Sequence, residues 1–232
     1  MNVSQLIAEA IGLAFSRHVR LHKQWVGVGN TIGPLLPDSS LVVSAQRLGR
    51  LDIMLRCMED EYNAPSGVVT EAEMLALDYQ GMLSEFWVVS AYEITRLLID
   101  RKIAPDSVAF RDLAHDLRLL RIPLEKHEIA KGSKLSEPLR MQKMPLAGDE
   151  TDVAVYSKSD TLRAYLMPFR ISERGSVMWN TIDPEPLTSH WIERRGLSER
   201  MINLWAAPAP GGNTGQALPE ATITNPAAPP GT

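Results

Sequence analysis

The stretch TEAEMLALDYQGMLSEFWVVSAYEITRLLID, residues 70–100, decides the fold of this chain. Thr70 is placed to cap a helix, and Glu73, three residues later, completes a capping box. Behind this start, apolar residues recur at three- and four-residue steps, which predicts one long helix with a wide buried face. We expect that face to pack at the centre of the protein through Leu83, Phe86, Trp87, Ala91, Ile94, Leu97 and Leu98.

Two more helices are predicted before this element. Apolar spacing predicts a first helix from about Ser4 to Trp25 and a second from Leu41 to Tyr62. Glycine and proline residues predict a loop over 27–40. The first helix should bury a stripe that consists of Leu6, Ile7, Ala10, Ile11, Ala14 and Phe15.

After residue 100 the pattern first stays helical and then changes. The next helix should begin at Asp106 as its N-cap. Pro123 should bend or restart this helix near residues 121–122, with helix continuing over 124–131. Short β-prone runs then predict a small hairpin with its turn at 173–176. Those runs are 153–156, 165–167 and 177–179.

Together these patterns predict a mainly α fold. It is a helical bundle with a small β-hairpin inserted before the last helix. One domain over 1–205 would comprise a core of about 41–132, a β element of about 150–182 and a closing helix of about 187–205. Proline, glycine and alanine dominate residues 206–232, which predicts a disordered tail.

Composition excludes several classes of protein. The chain is 44% hydrophobic and 22% charged, as globular proteins are, and no apolar run approaches the ~20 residues that a membrane span needs. Glu9 interrupts the N-terminal apolar stretch, which favours a cytoplasmic protein over a secreted one. The single cysteine, Cys57, excludes an intramolecular disulfide. Because glycine-rich phosphate loops, HExxH and dinucleotide motifs are all missing, we expect no cofactor and no metal.

The segment that carries chemistry reads RLLRIPLEKHE, residues 118–128. A bend at Pro123 would bring Arg121 and His127 to one cleft. There the guanidinium would stabilise the charge of a phosphorane while the imidazole transfers a proton. These are the minimum requirements for metal-free RNA cleavage. The basic side chains that would bind the RNA backbone are Arg118, Lys126 and Lys131.

An arginine followed by a histidine after five intervening residues resembles the RX4-6H motif of HEPN-domain proteins. The resemblance covers roughly residues 70–132. Members of that superfamily are small helical bundles, often dimeric ribonucleases of toxin–antitoxin and phage-defence systems. The resemblance therefore implies an RNA substrate, a homodimer, and Arg121 and His127 as the catalytic pair.

Other interpretations stay open. Arg111 and His115 form a second Arg/His placement, with a spacing one residue too short for the motif. A non-enzymatic helical protein that docks a protein partner is the alternative function, and RNA binding without cleavage is a third. Near the N-terminus, His18 and His22 are one turn apart, but two ligands alone do not make a metal site. With Arg17, Arg20 and Lys23 they indicate a basic helix end able to contact phosphates.

Overall fold

The computed structural model describes residues 2–37, 40–63, 70–135, 137–142 and 153–206. Within these ranges the protein is mainly α-helical, which confirms the predicted fold class. The predicted tail beyond residue 206 lies outside the described residues. None of the described helices is both long enough and apolar enough to cross a membrane. The helices are α1 (Val3–Arg17), α2 (Val19–Ile32), α3 (Leu41–Tyr62), α4 (Glu71–Asp100), α5 (Val108–Lys126) and α6 (Arg194–Ala206).

Helix α4 is the central element, as its sequence predicts. The Thr70 hydroxyl accepts a hydrogen bond from the Glu73 amide, and the Glu73 carboxylate accepts one from the Thr70 amide, so the capping box is confirmed. Its buried apolar residues are Trp87, Val88, Ala91, Ile94 and Leu98, and all of them except Val88 belong to the predicted face. The prediction that Phe86 is buried is wrong, because this residue is 57% exposed.

The N-terminal region corrects the prediction of one helix followed by a loop. The helix breaks at His18, whose backbone leaves the helical conformation, and α2 then continues through the predicted loop as far as Ile32. Of the stripe predicted on α1, only Ala14 is buried. Helix α2 buries Trp25, Val28 and Ile32 instead, because it packs between α3 and α6. Tertiary burial therefore outweighs the weak helix propensity of its glycines.

Helix α5 also departs from the expectation at both ends. Ser107, not Asp106, is the N-cap, since its hydroxyl accepts from the Phe110 amide. The helix passes through Pro123 without restarting and ends at Lys126. The following residue, His127, adopts a left-handed conformation with φ 53°, so the predicted helix over 124–131 is confirmed only to Lys126 and is wrong beyond it.

A buried threonine explains how α5 tolerates its proline. Pro123 has no amide hydrogen to donate to the carbonyl of Leu119, four residues earlier. The Thr181 hydroxyl donates to that carbonyl instead, at 3.1 Å, and Thr181 is almost fully buried. The hydrogen bond that the proline removes is therefore supplied from another element.

The β structure is larger than predicted. Leu139–Gln142 (β1) pairs antiparallel with Val153–Tyr156 (β2). A three-stranded antiparallel sheet follows in the order β3-β4-β5. Its strands are β3 (Phe169–Ile171), β4 (Val177–Asp183) and β5 (Thr188–Glu193).

The predicted turn of the hairpin is confirmed between β3 and β4. Gly175 there has φ 75°, and the Ser172 amide donates to the Ser176 carbonyl. The run 165–167 forms no strand, however, and 188–193 is strand where helix was expected. Trp191 and Ile192 pair with Asn180 and Trp179 of β4. Every second residue of β4 is buried, as in a strand with one face in the core, and cross-strand pairs of this kind stabilise a sheet.

Helix α6 is fixed to α3 through a buried ionic cluster. The Arg194 guanidinium has no exposed surface and donates to Asp52 and Glu59, which are equally buried. Trp25 donates its indole hydrogen to the second Asp52 oxygen at 2.8 Å, and Arg56 lies 3.5 Å from the first. Burial opposes ionisation of Asp52, but the charges of Arg194 and Arg56 outweigh it and hold its pKa below the ordinary value. The cluster is thus charge-paired inside the core.

Candidate functional site

A wide groove lies between α4 and α5, beside the connection that joins them. Its volume is about 730 Å³, within the range of ligand-binding clefts. On the α5 side, Arg111, His115 and Arg118 follow one another at steps of four and three residues, so they share one helix face. On the α4 side, Tyr92, Thr95, Arg96 and Ile99 complete the walls.

His115 is held in this groove by an aspartate at the end of β4. Its Nε2 lies 2.6 Å from Oδ2 of Asp183, which is mostly buried. The other Asp183 oxygen accepts from the backbone amide of Glu185. Arg118 Nη2 lies 3.4 Å from His115 Nδ1. Since a guanidinium can only donate, the neutral imidazole has its hydrogen on Nε2, towards Asp183, and its lone pair on Nδ1.

The groove contains three arginines that differ in their partners. Arg96 pairs with Asp100 at 2.5 Å, and Arg111 pairs with Asp106 at 2.5 Å. Arg118 has no carboxylate within ion-pair distance among the described residues, and its buried Nε makes no hydrogen bond. Arg118 is therefore the groove cation that is best placed to receive an external anion.

Arg121, one turn beyond Arg118, is occupied by partners within the protein. Its Nε lies 2.6 Å from Glu125, and its guanidinium lies 3.8 Å from Glu93. The same group stacks over the Tyr92 ring, 5.3 Å from its centroid. The prediction that Arg121 binds a phosphate would require these contacts to be exchanged.

His127 lies on another part of the same helix pair. It is exposed and lies near Glu85: burial raises the pKa of Glu85, and His127 partly lowers it again. Glu85 and Glu93, the α4 neighbours of His127 and Arg121, are eight residues apart, which is about 12 Å along a helix. Within the described residues, one chain does not bring Arg121 and His127 into contact.

The remaining predicted RNA contacts are also separated. Lys126 is exposed at the end of α5. Lys131 pairs with Glu185 at 2.5 Å, and Lys134 reaches the same carboxylate at 3.2 Å. Of the predicted RNA-binding residues, Arg118 alone lines the groove.

No three histidine, cysteine or carboxylate side chains of the described ranges lie together in a way that could hold a metal ion. His22 stacks on Phe15 with 4.6 Å between ring centroids, while His18 Nε2 lies 3.4 Å from Asp60. The two histidines thus turn to different partners.

Sequence reasoning missed Asp183, the residue that orients the groove histidine. Asp183 is 68 residues from His115 along the chain, and it lies at the end of a strand that pairs with an element predicted as helix. The Arg111/His115 placement did point to the face of α5 that lines this groove. No local pattern could have shown which carboxylate closes that site.

Comparison with known proteins identifies no relative: neither family models, nor curated proteins, nor solved structures match this chain. The function is therefore inferred from the geometry of the α4–α5 groove alone.

Proposed function

We propose that this chain binds RNA in the α4–α5 groove and cleaves it without a metal ion. The observation that supports the proposal is the position of His115 in an open groove, between the buried Asp183 carboxylate and the Arg118 guanidinium, which has no carboxylate partner among the described residues. A histidine oriented by an aspartate is a common general base, and an adjacent guanidinium stabilises charge on phosphorus. The proposed activity is still the metal-free RNA cleavage of HEPN-like proteins, but its catalytic pair is Arg118 and His115 in place of Arg121 and His127.

The steps of the reaction follow from these contacts. A phosphate that binds Arg118 draws the guanidinium from His115 Nδ1 and so frees the lone pair. That nitrogen takes the proton of the ribose 2′-hydroxyl, whose oxygen attacks phosphorus while the 5′-oxygen leaves. Asp183 stabilises the imidazolium, and Arg118 stabilises the phosphorane. Water protonates the leaving oxygen, and the imidazolium then gives its proton to the hydroxide that this step forms. The products are a 2′,3′-cyclic phosphate and a 5′-hydroxyl.

Substitutions test the assignment directly. With a labelled RNA and a chelator present, we expect His115→Ala to lower the cleavage rate by at least about 100-fold, the usual contribution of a general base. Arg118→Ala should weaken both RNA binding and cleavage. His115→Gln keeps a donor for Asp183, so a loss of activity at an unchanged melting temperature would report the loss of the base itself.

The matched control is Arg50→Ala, because Arg50 is an exposed α3 arginine outside the groove. It should cleave at the wild-type rate and have the wild-type melting temperature. If His127→Ala or Arg121→Ala abolishes cleavage while His115→Ala leaves it intact, the catalytic centre is the pair first indicated by the sequence. If purified protein leaves RNA uncut and unbound, the proposed function is wrong.

A second candidate function is helix docking, which an exposed apolar stripe on α4 favours. The stripe follows heptad spacing within about 60° of the helix circumference. Each member is 44–57% exposed, and the set comprises Leu75, Tyr79, Met82 and Phe86. The acidic residues Asp78 and Glu85 stand in the flanking heptad position. This combination fits an amphipathic helix with basic flanks.

Fluorescence anisotropy checks whether this surface binds an amphipathic helix. The probe is a synthetic peptide that has leucine at heptad positions a and d and lysine at positions e and g. Binding that Phe86→Glu abolishes and Val43→Glu, on exposed α3 surface, leaves unchanged would support docking. Sedimentation in the absence of peptide reports whether a second copy of the chain occupies the stripe instead, as the predicted homodimer requires. If the protein is a monomer and does not bind the peptide, the docking function is wrong.

A further inference from the structure

A second cleft lies where basic segments that are distant in sequence meet. The break at His18 between α1 and α2 faces α3 and α6 across this cleft. Glu199 is the one carboxylate in its lining among the described residues. Four arginines line the same space, one each from α1, α2, α3 and α6: Arg17, Arg20, Arg56 and Arg195.

Glu199 demonstrates that this cleft stabilises an anion. Its Oε1 accepts from Arg56 at 2.9 Å and from Arg195 at 3.4 Å, while Arg174 donates to both of its oxygens at 3.0 Å. Burial opposes ionisation of this carboxyl, but the bonds from Arg56 and Arg174 hold the pKa of Glu199 below its ordinary value. Glu199 thus engages two of the four lining arginines, while Arg17 pairs with Glu61 outside the cleft lining.

The donors around the cleft differ in their partners within the protein. Arg20 is exposed and has no carboxylate within ion-pair distance among the described residues. The Arg56 side chain is more than nine-tenths buried, yet its Nε makes no hydrogen bond; Asp52 lies 3.5 Å away. His18 Nε2 is likewise buried without a hydrogen bond, 3.4 Å from Asp60. Both of these groups face an internal carboxylate, so Arg20 is the cleft arginine that has none within ion-pair distance among the described residues.

The rest of the cleft is suited to an organic group. Leu21 and the buried Ile202 form an apolar wall, and the amides of Gln24 and Asn203 lie beside it. The cleft has a volume of about 410 Å³, in the lower part of the range of small-molecule sites. An inorganic ion alone would leave the apolar wall uncovered.

We infer that this cleft binds a small organic polyphosphate, of which a nucleoside triphosphate is the simplest example. Phosphates match the planar fork of guanidinium donors, and several arginines from separate helices suit a ligand with several charged groups. The organic part would lie on Leu21 and Ile202, within reach of the two amides. The site is separate from the α4–α5 groove and shares none of its lining residues.

Isothermal titration of the full chain with ATP tests this inference. We expect saturable binding of ATP and no binding of adenosine at the same concentration, because the arginines recognise the phosphates. Arg20→Ala should weaken ATP binding about tenfold, as expected for one charge-assisted hydrogen bond. Arg20 is preferred to Arg17 for this test because Arg17 already bonds Glu61 at 2.7 Å.

Lys23→Ala is the matched control. Lys23 is an exposed basic residue on the same helix that does not line the cleft, so this variant should bind ATP within about twofold of wild type. Circular dichroism checks that both variants are folded. The inference is overturned if ATP gives no saturable heat, if adenosine binds as well as ATP, or if both variants lose affinity equally.

Discussion

At the scale of single residues, the Thr181 hydroxyl compensates for the hydrogen bond that Pro123 cannot make. Thr181→Val removes the hydroxyl at almost constant shape and leaves the buried Leu119 carbonyl unsatisfied. We expect the free energy of unfolding to fall by about 1–3 kcal/mol in urea titrations, the usual cost of such a group. Thr188→Val, on exposed β5 surface, should change it by less than about 0.5 kcal/mol.

A double-mutant cycle identifies the cause. Pro123→Ala restores an amide that can donate to Leu119, so Thr181→Val should cost clearly less in that background. An equal cost in both backgrounds would show that Thr181 does not substitute for the missing amide.

The Glu185 carboxylate links stability to pH. Hydrogen bonds from Lys131 and then Lys134 lower the pKa of Glu185 from 4.5 to about 2. A carboxyl with a depressed folded-state pKa contributes its full stabilisation above pH 4.5 and loses it as the pH falls towards 2. We therefore expect the melting temperatures of wild type and Glu185→Gln to differ at pH 6 and to converge near pH 2. A difference that stays constant over this range would contradict the assignment.

At the scale of elements, the docking of α6 depends on Arg194. Removing this guanidinium leaves Asp52 and Glu59 buried with reduced compensation. We expect Arg194→Met to lower the free energy of unfolding by about 3–5 kcal/mol, as when one partner of a buried ion pair is lost. Arg200, on the same helix as Arg194, forms a partly exposed ion pair with Asp116 of α5. Arg200→Ala should therefore lower the free energy of unfolding by no more than about 1 kcal/mol. Similar costs for the two variants would contradict this role of Arg194.

Close contact between α2 and α3 depends on Gly49. A Cβ at this position would lie 2.5 Å from Cγ of Trp25. Gly49→Ala should therefore destabilise the protein by about 1–3 kcal/mol through overpacking. Gly27→Ala on α2 adds a Cβ with no atom within 4 Å and should instead stabilise the helix by roughly 0.5–1 kcal/mol. Thermal melts that move both variants in the same direction would refute this account.

At the scale of the whole molecule, the sequence predicts elements whose signals are local. The capping box at Thr70 and the turn around Gly175 are examples, because each depends on residues within a few positions. The break at His18 and the strand over 188–193 could not be found this way. Their causes lie in partners far along the chain, such as α6 for Trp25 and β4 for Trp191.

The candidate site follows the same rule. Spacing along α5 places Arg111, His115 and Arg118 on one face, but it cannot show that Asp183 meets that face from a strand. Pro123 suggested a bend from its own chemistry, whereas the Thr181 hydroxyl that accommodates it is 58 positions further along the sequence. Sequence therefore identifies the side chains able to do chemistry, and tertiary structure selects which of them meet.

Cleavage of RNA by His115 is tested most directly by mass spectrometry of the RNA ends. RNA is first incubated with the purified protein and a chelator. The wild-type protein should produce fragments that end in 2′,3′-cyclic phosphate, and His115→Gln should produce almost none. Intact RNA with the wild type, or identical fragments from both proteins, would contradict cleavage by His115 in the α4–α5 groove.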